Sequence, residues 1–539
     1  MIIYKIIKSL FFKSKLYNYY LLKNNIKEIL FTPKDIWPGD PILGDKIVQG
    51  HYEIAGEKNY SPDNSLWFIP NKGNYWMKEA HSFTWLRHLK ARSGHLARKH
   101  ARYLILEWIK TNEKWNENTW EVEVLSRRVS SWLTNIDFLL AEKDEDFSAI
   151  LKKNLFKQIK HLQSYAKKSY FFHLDRKLGL ENASIKKVKI LRGLILSTLC
   201  FDDANHKVIK YLRLLELELY KNFNSEGVHV SKSPSTQLSI LGDLVTIREA
   251  IKSNQMDVME TLVMTIQKAS HSLRFFRTPN GDFATFNGSK QETKFLIDKI
   301  LNSADGKARA KGPISLYKSG FEKLTRKQTT LFVDTFRYNN GFLSRAPHAI
   351  QINIGKEKLF GSCGSIFEKN QEWKESLLSA SAHSSLIIES TNPSIKDNQI
   401  KEPSSKRYQK NGSEIINLVH YGYKEKFSAV CSRTIEVGGT GKIIAVLDQI
   451  FSDKLLKFDI RLHLNTKAKV SLSLDKRKAI IILNDQGWLF NYEGQFKLSL
   501  EPSIFACDNG RINKTSQLIL RGETLKENTE VLWGIKKDI

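Results

Sequence analysis

Apolar residues recur at two different periods along this chain, and the period changes near residue 310. Upstream, Ala101, Leu104, Ile105, Trp108 and Ile109 fall on one face of a helix, as do Leu191, Leu194, Ile195, Thr198 and Leu199. Further amphipathic stretches run through 122–140, 148–168, 204–223, 235–252 and 256–276. About seven or eight antiparallel helices with short links predict an α/α toroid or incomplete barrel, with a plain helical bundle as the alternative. No fixed-period repeat supports a solenoid.

From about Gly312 the apolar positions alternate instead. Ile350, Ile352 and Ile354 are separated by Gln351 and Asn353; Phe458, Ile460, Leu462 and Leu464 by Asp459, Arg461 and His463; Val470, Leu472 and Leu474 by serines. Strands of this kind, joined by turns such as Gly355-Lys356-Glu357 with no helical stretch between them, predict antiparallel sheets packed as a β-sandwich. The expected class is therefore α+β and multidomain: a basic, apolar arm and linker over 1–45, an α/α toroid over 46–305 and an antiparallel β-sandwich over 312–539. NSADGKARAKGP, which combines Gly, Pro, small residues and charge, predicts the division between helical and strand-rich parts near 305–318.

Composition narrows the partners. With 84 Lys+Arg against 57 Asp+Glu the formal net charge is +27, which favours an acidic polysaccharide, nucleic acid or an anionic membrane surface. Nucleic acid is the weakest of the three, since no zinc-finger, RNP or KH signature accompanies the charge. A lysine-, asparagine- and isoleucine-rich coding bias would raise the charge without any binding surface. Cys200, Cys363, Cys431 and Cys507 are scattered with no CxxC pair, so neither a zinc knuckle nor a disulfide framework is expected. At the N-terminus, Lys5, Lys8, Lys13 and Lys15 interrupt every apolar run before a signal-peptide core forms. That arm predicts contact with a membrane surface or with its own domain, and no stretch reaches transmembrane length.

Several segments, in order, resemble the heparinase II/III family of polysaccharide lyases, closest to a bacterial branch of uncharacterised members. They are WEVEVLSRRVSSWL at 120–133, NSEGVHVSKSP at 224–234, GDFATFNG at 281–288, SGFEKLTRKQTTLFVDT at 319–335, APHAIQINIGKEKLFGSCGS at 346–365, SASAHSSLIIESTNPS at 379–394, YGYKEKFSAVCSRTIEV at 421–437 and GWLFNYEGQFKLSLEPSIF at 487–505. The resemblance implies a toroid followed by a sandwich, the order that the periodicities give independently. It also implies that a uronate-containing polysaccharide lies between toroid and sandwich and is cut by β-elimination. That chemistry needs a group that stabilises the uronate carboxylate and a Tyr or His that moves the proton. No cofactor is expected. The family works mainly in the periplasm or cell envelope, with the cytoplasm as the alternative where no export signal is evident.

Carried over residue by residue, the resemblance nominates His348, His229 and Asn182 as catalytic. Arg127, Arg128, Trp120, Trp132, Lys232 and His383 are the expected substrate contacts, the arginines and tryptophans by their side-chain chemistry. Guanidinium groups pair with carboxylates or sulfates and indoles stack on sugar faces, although core and snorkelling positions explain the same residues. Two family positions differ: Ala183 stands where the toroid His is expected, and Thr236 where the catalytic Tyr is expected after Ser233-Pro234. Tyr170 and His173 are candidate substitutes. No metal site is expected, because the acidic partner of His383 is absent from Gly361-Ser362-Cys363-Gly364. A non-catalytic glycan-binding protein of the envelope is the first alternative function, and a nucleic-acid binder the second.

Overall fold

The computed structural model describes residues 10–22, 28–63, 65–67, 69–70, 72–201, 205–335, 346–366, 371–394, 404–506, 512–525 and 527–537. It divides into two compact units. The first comprises Met1–Phe223, Leu238–Gln267 and Asp298–Ala308, and the second Asn224–Gln237, Lys268–Ile297 and Arg309–Ile539. Two stretches from the helical part of the sequence therefore belong to the strand-rich unit.

The first unit is built from helices, and their local signals are legible. Helix Val122–Thr134 starts at Glu121, whose carboxylate accepts from the backbone N–H groups of Glu123 and Val124, and helix Glu145–Ser164 starts at Asp144, which accepts from Phe147. The stretch expected to be helical over 122–140 breaks at Asn135, whose φ of −113° and ψ of 10° separate Val122–Thr134 from Ile136–Leu140. Helix Gly94–Asn112 buries the face predicted for it, Ala101, Leu104, Ile105, Trp108 and Ile109.

Two elements of this unit differ from expectation. The Pro/Gly-rich stretch read as a linker forms helix Pro41–Val48: Asp40 caps it through Ile42 N and Leu43 N, and Pro41 sits where a missing N–H costs nothing. Its glycines allow close approach, since a Cβ on Gly44 would lie 2.3 Å from the carbonyl oxygen of His88 in helix Leu86–Arg92. After it, β1 (His51–Ile54) and β2 (Glu57–Tyr60) pair antiparallel around Ala55 and Gly56, both at positive φ. An Ala in that position hides the usual Asn-Gly signal of such a hairpin.

The second unit is an antiparallel β-sandwich. One sheet contains β3 (Ser315–Leu316), β4 (Phe321–Arg326), β5 (Thr329–Asp334), β6 (Ile350–Ile354), β7 (Glu357–Gly361), β8 (Leu386–Ile388), β13 (Lys457–Leu464), β17 (Lys497–Ala506) and β18 (Ile512–Glu523). Its order is β17-β18-β13-β7-β6-β5-β4-β3, with β8 also on β13. The other contains β9 (Ser404–Lys410), β10 (Ser413–Tyr423), β11 (Ala429–Val437), β12 (Ile443–Ser452), β14 (Lys469–Leu472), β15 (Lys478–Leu483), β16 (Gln486–Tyr492) and β19 (Glu527–Lys537), ordered β14-β15-β16-β19-β12-β11-β10-β9. Alternate residues of both sheets, among them Ile352, Phe458, Ile435, Val446, Trp488 and Trp533, share one buried core. Leu474 corrects the alternation read for 470–474: β14 ends at Leu472, and Leu474 is fully exposed in the turn closed by Ser473 N to Lys478 O.

Close approach also governs the turn at Gly227, where φ is +77° and a Cβ would lie 2.3 Å from the backbone carbonyl carbon of Lys268. Gly227→Ala is expected to destabilise the second unit by about 2–4 kcal/mol, combining left-handed strain with overpacking. Urea unfolding of the variant measures this, and an unchanged midpoint would contradict the close approach.

Candidate functional site

The segment after Gly227 is a hydrogen-bonded knot in the second unit. Asn224 Oδ1 accepts from the backbone N–H groups of Glu226 and Val228, shaping the turn that presents His229. His229 is fully buried, and its backbone N–H donates to Gln237 Oε1 at 3.0 Å. Gln237 Nε2 in turn donates to Gly227 O, Ala269 O and Ser272 Oγ. The His229 ring meets Ser231: Nδ1 lies 2.9 Å from Ser231 Oγ and accepts from Ser231 N at 3.2 Å, which leaves the proton on Nε2. Burial pushes its pKa down to about 3, so the imidazole is neutral at physiological pH. Lys232 is buried at φ +51°, its backbone N–H donating to His229 O. Thr236 is half-buried next to Gln237.

His348 precedes β6 at a φ of +54° and is also buried. Its carbonyl accepts from Arg433 Nη1 at 2.7 Å, and its ring packs edge-on against His420 with centroids 4.6 Å apart. Arg433 on β11 faces Asp448 on β12 in register and donates to both carboxylate oxygens, at 2.6 and 2.9 Å, while Trp533 Nε1 on β19 donates to Asp448 at 2.9 Å. Burial, with His420 and Arg433 adding to it, holds the His348 pKa well below the ordinary imidazole value, and His348 Nε2 has no hydrogen-bond partner among the described residues. Burial pushes His420 down to about 3. His420, Arg433 and Asp448 were absent from the sequence reading. Their signal was available: Arg433 on β11 and Asp448 on β12 share the inward face with Ile435, Val437, Val446 and Ile450, where a charged pair is unusual, and His420 is buried on the neighbouring β10.

A third cluster surrounds His383, whose Nδ1 donates to Ser379 O at 2.9 Å. Burial lowers its pKa, against the opposing effect of that bond. Nearby, His463 Nε2 donates to Ser381 O, and Nδ1 lies 2.7 Å from Ser503 Oγ and 3.4 Å from Cys363 Sγ. Among the described residues no group of three or more His, Cys, Asp or Glu is arranged to hold a metal ion.

The first unit places its nominated residues differently from a sugar-lining role. Arg128 is fully buried: it donates to Gln158 Oε1, His81 O and Thr119 O and lies 4.1 Å over the Trp108 ring. Trp132 is fully buried, and Trp120 nearly so with Nε1 on Asn112 O. These three are core, because the apolar face of helix Val122–Thr134 turns inward and carries Arg128 with it. Arg127 is only partly covered, but its guanidinium is engaged by both carboxylate oxygens of Glu79. Asn182 is exposed and donates weakly to Leu178 O at 3.4 Å. Tyr170 packs edge-on against Tyr165, and burial pushes its pKa up, away from proton transfer. His173 is exposed. Asn182 belongs to the first unit and His229 and His348 to the second, so neither unit by itself assembles the nominated catalytic set.

Residues 308–534 match the family model described as heparinase II/III-like, C-terminal. That C-terminal region is heparinase II/III-like. Among solved structures the chain is similar to heparinase III, with a TM-score of 0.73 at 13% identity over 97% of this chain and 88% of that one. It is also similar to the heparan sulfate lyase HepC of Pedobacter heparinus, with a TM-score of 0.58 at 14% identity and the same coverage. At that identity the likeness concerns the toroid-and-sandwich fold. A curated relative, the FtsZ-localized protein C of Caulobacter vibrioides, is 24% identical over 94% of this chain and 89% of its own length.

Two outcomes follow for the heparinase II/III fold in this chain. Arg433→Met leaves Asp448 buried without its partner and is expected to cost about 3–5 kcal/mol, whereas Arg433→Met with Asp448→Leu is expected to recover much of the loss. Denaturant unfolding of both variants decides this; equal losses would mean that packing rather than charge dominates. The buried imidazoles also set an acid limit. His229, His420 and His463 have folded pKa values near 3 against about 6.5 when unfolded, so the unfolded chain binds more protons below 6.5. Their contribution is complete above about 6.5 and is lost as pH falls from there toward 3. Thermal melts should show Tm falling across that window, with a shallower fall in His420→Gln.

Proposed function

We propose that this heparinase II/III-like protein binds an acidic, uronate-containing polysaccharide and does not cleave it by the tyrosine-and-histidine route of the lyases it resembles. One observation carries this reading. The block that should supply the phenol supplies Thr236 and Gln237, Gln237 is spent on the backbone of the Gly227–His229 turn, and burial keeps the His229 ring neutral. A threonine hydroxyl is too weakly acidic to stand in for a phenol, and a sealed imidazole does not reach a sugar. The basic balance of the chain supports an acidic ligand.

Incubation with a panel of uronate polymers tests both halves. Binding is expected and should weaken as salt rises, because exposed charges are screened beyond about 8 Å at physiological ionic strength. No ultraviolet-absorbing unsaturated product should accumulate, and its appearance would overturn the non-cleaving half.

A second reading, cleavage by β-elimination with His348 as the proton-transfer group, is favoured by the unpartnered Nε2 of that residue and requires its enclosed ring to open to the substrate. On that reading His348→Ala lowers turnover by about a hundredfold while binding persists. For place of action, the name of the curated relative favours a position beside FtsZ, on the cytoplasmic side of the envelope, over the periplasm. Imaging a fluorescent fusion for coincidence with FtsZ tests that placement.

A further inference from the structure

The helix near the N-terminus has two apolar stripes and only one of them is covered. In helix Lys15–Leu22 the stripe of Tyr17 and Leu21 is buried in the first unit. Tyr17 Oη lies 2.6 Å from His161 Nδ1, and the preceding Phe12 ring packs against His161 and Trp115. These contacts pin the helix. The second stripe is Leu16, Tyr19 and Tyr20, related by i, i+3 and i+4, and it is open: Leu16 is 81% and Tyr19 67% exposed, with Leu10 and Phe11 exposed beside it.

Solvated faces of water-soluble helices carry polar residues, so a pinned helix that displays a second apolar stripe is built for a second surface. The charges around it indicate which surface. Lys13 and Lys15 are exposed within one turn of Leu16 and Tyr19. No Asp or Glu occurs in the sequence before Glu28, whereas Lys5, Lys8, Lys13, Lys15, Lys23 and Lys27 all do. Apolar and tyrosine side chains interleaved with lysines, without acidic residues, match the boundary of an anionic bilayer, where acyl chains take the first, the interface the second and lipid phosphates the third. No helix among the described residues is long and apolar enough to cross a membrane, so the contact is peripheral.

We propose that the Leu10–Leu22 segment docks the protein on the surface of an anionic phospholipid membrane, with Leu16, Tyr19 and Tyr20 inserted at the interface and Lys13 and Lys15 on lipid phosphates. This rests on the exposed stripe and the charge pattern and is independent of whether the chain binds or cuts a glycan.

Co-sedimentation of the full chain with vesicles is the test. The unmodified protein should sediment with phosphatidylglycerol–phosphatidylcholine vesicles and not with phosphatidylcholine alone. Leu16→Glu, a change at an exposed position that leaves the melting curve unaltered, should abolish sedimentation. Lys13→Ala with Lys15→Ala should weaken it by roughly thirtyfold. Lys406→Ala with Lys410→Ala, two exposed lysines of β9, should leave it unchanged. Failure of the unmodified protein to bind either vesicle would overturn the proposal. So would an equal loss in the β9 variant, which would mean diffuse charge, or a dimer without vesicle binding that Leu16→Glu converts to monomer, which would mean that a second copy covers the stripe.

Discussion

A guanidinium in the interior of a β-sandwich has to find its counter-charge and its acceptors there, because water is absent and the cost of an unpaired ion is several kcal/mol. Arg433 meets that requirement through three elements at once. Asp448 on the neighbouring strand takes two of its hydrogen bonds, Trp533 on the strand beyond holds Asp448 in place, and the carbonyl of His348 takes a third. The last contact joins the sheet containing β11 to the segment that enters β6 of the other sheet. His348 sits at a positive φ, a strained conformation for a residue with a side chain, and strain of that kind persists only where surroundings over-determine it. The Arg433 bond, the His420 ring and the bond from Ser385 Oγ to Pro347 O supply that determination.

The same burial that makes the Arg433–Asp448 pair necessary decides what the histidines can do. His229, His348, His383, His420 and His463 are all enclosed, and enclosure disfavours the cation. Each is neutral near pH 7, with ring nitrogens of His229, His383 and His463 committed to serine side chains or backbone carbonyls. A histidine in such a setting orders its loop. The exception among the nominated groups is His348, whose Nε2 keeps an unmatched capacity for a hydrogen bond, and this is why a catalytic role for it survives as the second reading.

Several cations of the helical unit are consumed inside it: Arg127 by Glu79, Arg192 by Asp243, Lys187 by Asp175 and Glu218, and Lys189 by Glu123. Counting lysines and arginines therefore does not locate a binding surface. The acid-free stretch before Glu28 does so more sharply, since there the excess is local and lies beside exposed apolar side chains.

The order of helices followed by paired sheets was legible in the sequence, because period 3.6 and period 2 are properties of consecutive residues and need no partner to be seen. So were the buried face of Gly94–Asn112, the absence of a phenol at Thr236 and the family resemblance, which rests on ordered segments. The hairpin at Ala55–Gly56, the helix inside the Pro/Gly-rich stretch and the break at Asn135 were not, since each depends on a dihedral angle or a cap that competing signals mask. Tertiary structure alone decided that Arg128, Trp120 and Trp132 face inward while Arg127, one residue away, meets Glu79. It alone paired Arg433 with Asp448 across neighbouring strands and enclosed the histidines. Composition reports which groups a chain owns; their exposure, partners and protonation are set by residues far away in sequence, which only the folded chain brings together.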